Sequence, residues 1–245
     1  PSGAPIWTTP TIDAERGQIY ITTGENTSHP TTGTSDSIIA LDLETGEEKW
    51  VFQALENDMW NFGCSADGPN CIVLADTNSV DFDFGGPAIL VENGDKQLLI
   101  AGQKSGDIWA LDPDSGALVW NQRVGEGTAL GGNHWGIATD SERAFMTIND
   151  PGNRGENSVP GIYTYFVGTG EPSWSYRVEP DCDARSERLR RCESLYGFSA
   201  TPLSVDGAVI TGGLDGRVFI FNSGTGEQLF KFDTAINFET VNGVE

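Results

Sequence analysis

The chain has 245 residues, 31 of them glycine, and its 36 aspartates and glutamates against 14 lysines and arginines leave a formal charge of −22. A nucleic acid or an anionic membrane surface would be repelled, which excludes a nucleic-acid function. Apolar residues make up 38% of the chain and none of them form a run of about eighteen, so no membrane-spanning helix is expected.

The first predicted elements are WTTPTID (residues 7–13) and GQIYITTG (17–24), short runs rich in β-branched and aromatic residues. In ALDLETGEEKW (40–50) an apolar strand enters a turn of Thr and glycine, and an aromatic returns four residues after the glycine. The same unit recurs as ALDPDSGALVW (110–120), TYFVGTGEPSW (164–174) and IFNSGTGEQLF (220–230). Gly46, Gly116, Gly170 and Gly226 supply the positive φ that the turn requires. Trp50, Trp120, Trp174 and Phe230 come back on the next strand, where the tryptophans are expected to wedge between neighbouring sheets. SATPLSVD (199–206) and GAVITGGLDGRVFIF (207–221) repeat the upstream pair of strands before the last unit. Each repeat therefore predicts about four short antiparallel strands, one β-propeller blade, and the whole chain predicts an all-β fold of about four blades.

Four cysteines fall as two local pairs in polar sequence, Cys64/Cys71 and Cys182/Cys192. Their even number, short loops and lack of CxxC spacing argue for two disulfides closing surface insertions, hence an oxidising compartment. Helical periodicity occurs only in ARSERLRRCESLY, where one short turn is expected. The chain starts at Pro1 with no signal-peptide pattern, and the first and last repeats look incomplete. Residues 1–245 are therefore read as part of a larger propeller domain, with further blades outside the chain.

The aromatic four residues after TG resembles the tryptophan-docking blades of quinoproteins, eight-bladed dehydrogenases that use pyrroloquinoline quinone and calcium. GxxxWxxPxxD followed by IYxxTGxN, then DxWN, DFDFG, AGQKSG, GGxxWGxATD and FDTAxxFETVNGV look most like the polyvinyl alcohol dehydrogenases and their relatives. The resemblance covers almost the whole chain and implies about half of an eight-bladed propeller. No CxxCH cytochrome motif is present.

The resemblance also implies roles. Trp7 would be the platform on which the planar quinone stacks, the alternative being a core tryptophan between blades. Glu25 or Asn26, where a strand ends, would supply an oxygen ligand to calcium. In DMWN the place of the family's catalytic aspartate is taken by Asn61, which cannot accept a proton. DFDFGGPAIL resembles the segment that begins at that aspartate, so Asp81 would be the base and a metal ligand, with Asp83 beside it. A regular strand would put both on one face. Lys104, in the turn GQKSGD, would contact the quinone oxygens and stabilise charge growing there. Trp135 would border the active-site funnel or close the core, and Thr240 and Asn242 are candidate polar contacts to the cofactor. His134 reads as a structural histidine.

Two functions follow. The first is an exported, periplasmic or extracellular alcohol dehydrogenase using pyrroloquinoline quinone and Ca²⁺, with a c-type cytochrome as electron acceptor. The second is a non-catalytic propeller scaffold resembling outer-membrane assembly factors. Fold alone does not separate them.

Overall fold

The computed structural model describes residues 3–63, 78–150, 158–182, 185, 189, 191–239 and 241–243. Among the described residues sixteen strands form four four-stranded antiparallel sheets, each a meander in chain order. The first sheet holds β1 (Thr11–Asp13), β2 (Gln18–Thr22), β3 (Ser37–Asp42) and β4 (Glu48–Gln53); the second holds β5 (Ile89–Asn93), β6 (Lys96–Gly102), β7 (Asp107–Leu111) and β8 (Leu118–Arg123). The third holds β9 (Ile137–Thr139), β10 (Arg143–Ile148), β11 (Gly161–Phe166) and β12 (Pro172–Arg177); the fourth holds β13 (Leu203–Val205), β14 (Ala208–Gly212), β15 (Arg217–Asn222) and β16 (Gln228–Asp233). The first strands contact one another in succession, β1 with β5, β5 with β9, β9 with β13, as the inner strands of propeller blades do. This is the all-β propeller architecture that the repeat predicts. Among the described residues no helix is long and apolar enough to cross a membrane.

The core lies between consecutive sheets. Tyr20, Ile38 and Ala40 of the first pack on Leu99, Ala101 and Leu111 of the second. Ile100 and Ile108 pack on Met146 and Tyr165 of the third, and Phe145 and Ile162 on Val209, Phe219 and Phe221 of the fourth. Strands β3 and β6, covered on both faces, therefore read as nearly continuous apolar runs, SIIALD and KQLLIAG.

In three of the four units one side-chain oxygen caps the repeated turn, whereas in the third Phe166 stands at that position and only its carbonyl accepts, from Gly170 N–H at 2.8 Å. Asp42 Oδ1 accepts the amides of Glu44 and Thr45, Asp112 Oδ1 those of Asp114 and Ser115, and Asn222 Oδ1 those of Gly224 and Thr225. The glycine then closes the turn at φ 73°, 70°, 71° and 73° in the four units. The indole after it crosses to the next unit. Trp50 Nε1 donates to the Pro113 carbonyl at 3.1 Å, Trp120 Nε1 to Val167 at 2.8 Å and Trp174 Nε1 to Ser223 at 2.8 Å. A Cβ on Gly116 would sit 2.5 Å from the Trp50 ring, and those on Gly170 and Gly226 would meet Trp120 and Trp174 as closely. The glycines thus answer two demands, positive φ and an indole lying flat on the backbone, of which only the first is local.

Cys182 and Cys192 form the expected disulfide. The Cys64/Cys71 pair lies outside the described residues, as does part of the expected helical turn, within which Leu189 N–H donates to the Arg185 carbonyl and Leu195 N–H to the Arg191 carbonyl, each at 2.9 Å.

Candidate active site

Several segments that leave the strands are laced together at one end of the first three sheets. Gly24 N–H donates to the Pro5 carbonyl at 3.0 Å, Asn26 to Asp58 at 3.3 Å, and Trp60 back to Asn26 at 3.0 Å. Phe84 N–H donates to Thr23 at 3.3 Å, Lys104 to Asp83 at 3.0 Å and Asn133 to Gln103 at 3.1 Å. Main-chain contact this close needs bare backbone. A Cβ on Gly24 would lie 2.5 Å from Asp83 Oδ1, one on Gly85 2.0 Å from the His134 carbonyl oxygen, and one on Gly132 1.9 Å from the Lys104 carbonyl oxygen.

At the centre, Lys104 Nζ donates to Asp81 Oδ1 at 2.9 Å and to Asp83 Oδ2 at 2.8 Å. Asp83 Oδ1 accepts the Glu25 amide at 2.9 Å. Carboxylate oxygens of Glu25, Asp81 and Asp83 lie within 4.8 Å of one another, and all three residues are buried, as is Lys104. The ammonium also stands 5.3 Å from the centre of the Trp7 ring. Trp7 meets Trp135 edge to face at 5.6 Å, and His134 stacks on Trp135 at 4.5 Å. Both tryptophans keep exposed surface, 38% and 46%.

Asp81 and Asp83 do not share a strand face. Residues 79–85 are irregular, and Asp81 is left-handed with φ 55°. The two carboxylates reach one ammonium because the chain turns between them, which corrects the period-two expectation. Trp7 also precedes its strand: it stands four residues before β1, whereas Trp135 stands two before β9, so the two are not in the same relation to their sheets.

Burial and the neighbouring Asp83 charge push the Asp81 carboxyl above its ordinary range, against the pull of Lys104. Glu25 is also driven up, by burial and then by Asp83 and Asp81. For Asp83 burial acts upward, yet the Glu25 carboxyl and the Lys104 ammonium outweigh it and hold it below the usual value. Burial would lower Lys104; the two aspartates reverse that and hold it high. His134, lowered to about 4 by burial and by the Lys104 charge, is neutral. Fully ionised, three carboxylates against one ammonium leave two negative charges, the deficit a divalent cation would cancel. Hard oxygen donors suit calcium.

The structure brings Glu25, Asp81, Asp83, Lys104, Trp7 and Trp135 together. Asn26 is buried but committed elsewhere: its Oδ1 accepts the Thr32 amide at 2.8 Å, and its Nδ2 donates to the Gly3 carbonyl at 2.7 Å and to Thr32 Oγ1 at 3.1 Å. Asn242 is exposed near the C-terminal end, and Thr240 lies outside the described residues. Sequence reasoning gave no role to Asp36, Asp58 or Gln103. Gln103 Nε2 donates to the Phe82 carbonyl at 2.7 Å and its Oε1 accepts from Trp109 Nε1 at 3.1 Å, which ties the lysine turn to the aspartate segment. Asp36 and Asp58 are fully buried behind the site. A carboxylate next to an apolar strand, as in TSDSIIALD, was the available signal.

Two family models match the chain. Residues 1–81 match "Glucose/ethanol/alcohol dehydrogenase, beta-propeller domain", and residues 104–241 match "Outer membrane protein assembly factor BamB". Polyvinylalcohol dehydrogenase of Pseudomonas sp. is 32% identical over 247 residues, 99% of this chain and 37% of the relative. Polyvinylalcohol dehydrogenase of Sphingopyxis sp. (strain 113P3) is 33% identical over 237 residues, 96% of this chain and 36% of the relative. The chain thus spans little more than a third of the length of these curated relatives. Among solved structures, quinohemoprotein alcohol dehydrogenase ADHIIG of Pseudomonas putida HK5 superposes with a TM-score of 0.62 at 15% identity, over 95% of this chain and 41% of that one, a likeness of fold.

Proposed function

The chain belongs to the pyrroloquinoline quinone-dependent dehydrogenase β-propellers, and from that membership we propose that the whole protein oxidises an alcohol, polyvinyl alcohol or another primary or secondary alcohol. The observation that carries this reading is the convergence of Glu25, Asp81 and Asp83 on one point beside Lys104 and the open face of Trp7.

The residues present fit both groups that such chemistry uses. Glu25, Asp81 and Asp83 would hold Ca²⁺, and Glu25 rather than Asn26 is the ligand from this segment because the Asn26 amide is already spent on Gly3 and Thr32. Trp7 would carry the flat ring of pyrroloquinoline quinone, with Lys104 and Trp135 at its edge. When bound, the quinone supplies the acceptor for the hydride of the alcohol C–H, and calcium supplies a Lewis acid. Asp81 takes the hydroxyl proton, as a buried carboxylate held by the Lys104 ammonium at 2.9 Å is placed to do. Lys104 keeps Asp81 and Asp83 apart as charges and presents a buried cation where negative charge grows. Asp83 fixes the Glu25 segment through its amide.

Electrons pass on to a c-type cytochrome, and the protein works in the periplasm or outside the cell, where the Cys182–Cys192 disulfide is at home. The scaffold reading draws on the assembly-factor match over 104–241. Against it, Trp7, Glu25 and Asp81 all lie in the residues that match the dehydrogenase model, and a scaffold has no need of them.

Adding pyrroloquinoline quinone and Ca²⁺ to the full-length apoprotein should produce alcohol-dependent dye reduction. Asp81→Asn should lower kcat by about 10²–10⁴-fold, the usual worth of a positioned base, with the fold intact. No cofactor uptake and no dye reduction by the wild type would leave the scaffold reading standing.

A further inference from the structure

Behind the site lies a carboxylate that the proposed chemistry does not use. Asp58 is fully buried and touches neither Lys104 nor the carboxylate trio through any hydrogen bond recorded among the described residues. Its Oδ1 accepts the Val80 amide at 3.3 Å and its Oδ2 the Phe82 amide at 3.5 Å. These are the residues on either side of Asp81, whose φ of 55° turns their N–H groups to one side. Amides flanking a left-handed residue form a concave anion-binding nest, and here the anion is a side chain of the same protein. The Asp58 main chain reaches the other way: its carbonyl accepts the Asn26 amide, next to Glu25.

From this geometry we infer that Asp58 is a positioning residue for the metal and base site: it clasps the turn around Asp81, holds Asp81 left-handed, and so aims its carboxylate at Lys104 and at Asp83 and Glu25. The inference rests on the reading of Asp81 as metal ligand and base. The left-handed region is tolerated by aspartate but not favoured, so a turn that lacks its anion has a reason to relax. Asparagine at 58 keeps the shape but sets an N–H₂ against one of the two amides.

The test uses the full-length apoprotein and Ca²⁺ alone. Asp58→Asn should weaken Ca²⁺ binding by about 10–100-fold by calorimetry, the range found when groups that orient metal ligands are removed. In an Asp81→Asn background the same change should cost less than about twofold, because the residue it acts through has lost its charge. A crystal structure of Asp58→Asn should show residue 81 out of the left-handed region and its contact with Lys104 broken, while the Lys104–Asp83 pair persists. A lowered Tm with calcium affinity and the geometry of residue 81 unchanged would overturn the inference, leaving Asp58 a turn cap. If the wild type takes up no Ca²⁺, the functional reading falls and the crystal structure alone decides the role of Asp58. Should Asp58→Asn not fold, Asp58→Ser, neutral and able to accept one amide, is read by the same two measurements.

Discussion

A carboxyl buried without a partner stays buried by keeping its proton, and Asp36 is such a group. Neither of its oxygens has a hydrogen-bond partner, and burial, followed by the charges of Asp58, Asp83 and Asp81, raises it to about 9. Its ordinary value of 3.8 applies to the unfolded chain. Between the two values the folded protein binds the extra proton, so Asp36 lowers stability progressively as pH rises from about 4 to about 9, and no further above that. Asp36→Asn removes this dependence. The Tm of the variant relative to wild type should therefore climb steadily from pH 5 to pH 9 in thermal melts. Parallel Tm curves across that range would show that Asp36 ionises in the fold without cost. Kept neutral at working pH, Asp36 adds no repulsion to the three carboxylates beside it.

At the scale of the element, each blade is locked to the next by an indole on a bare glycine. Gly170 and Gly207 separate the two demands on such a glycine. Their φ values are 71° and 74°, but a Cβ on Gly170 would meet the Trp120 ring at 2.7 Å and one on Gly207 would meet nothing within 4 Å. Gly207→Ala should cost about 1–2 kcal/mol for the left-handed backbone. Gly170→Ala should cost a further 1–3 kcal/mol, roughly, because the indole has to move out of a packed interface. Urea midpoints of the two variants measure the difference; equal losses would mean the Trp120 contact contributes nothing. The pattern ends at the flanks: Phe230, at the tryptophan position of the fourth unit, is 50% exposed, and a Cβ on Gly46 would have free space.

Over the whole molecule, 36 acidic residues against 14 basic ones set self-repulsion against folding. Among the described basic groups three are buried, and the others lie at or near the surface. Lys104 is in the site, and Arg185 and Arg217 are buried against Asp215, with Arg185 also paired to Asp233, which pins the disulfide-closed loop to the fourth sheet. Exposed charge is screened by salt and these buried pairs much less so, as the Debye length falls from about 30 Å at 0.01 M to about 3 Å at 1 M. Tm should rise with NaCl over that range in a chelator-containing buffer. A flat or falling curve would mean that the ion pairs outweigh the excess negative charge.

The four-blade repeat was legible because everything that makes it is local: period-two apolar runs, a Thr/Ser-Gly turn, and an aromatic at a constant offset from Gly46, Gly116 and Gly170. A turn's φ and a strand's alternation are set by residues within a few positions, so the sequence by itself determined the strands, the sheets and which aromatics lie between them. Asp81, Asp83 and Lys104 were picked out by the family resemblance of DFDFG and AGQKSG, whereas the expectation that the two aspartates share a strand face fails because Asp81 is left-handed. The commitment of the Asn26 amide to Gly3 and Thr32, the buried Asp36, and Asp58 closing on Val80 and Phe82 were decided by tertiary structure alone. Glu25 reaches Asp83 across 58 residues of chain. Whether a carboxyl is ionised, paired or bound to a cation depends on distances of a few ångströms between such segments and on the water they exclude, and no pattern along the chain encodes either.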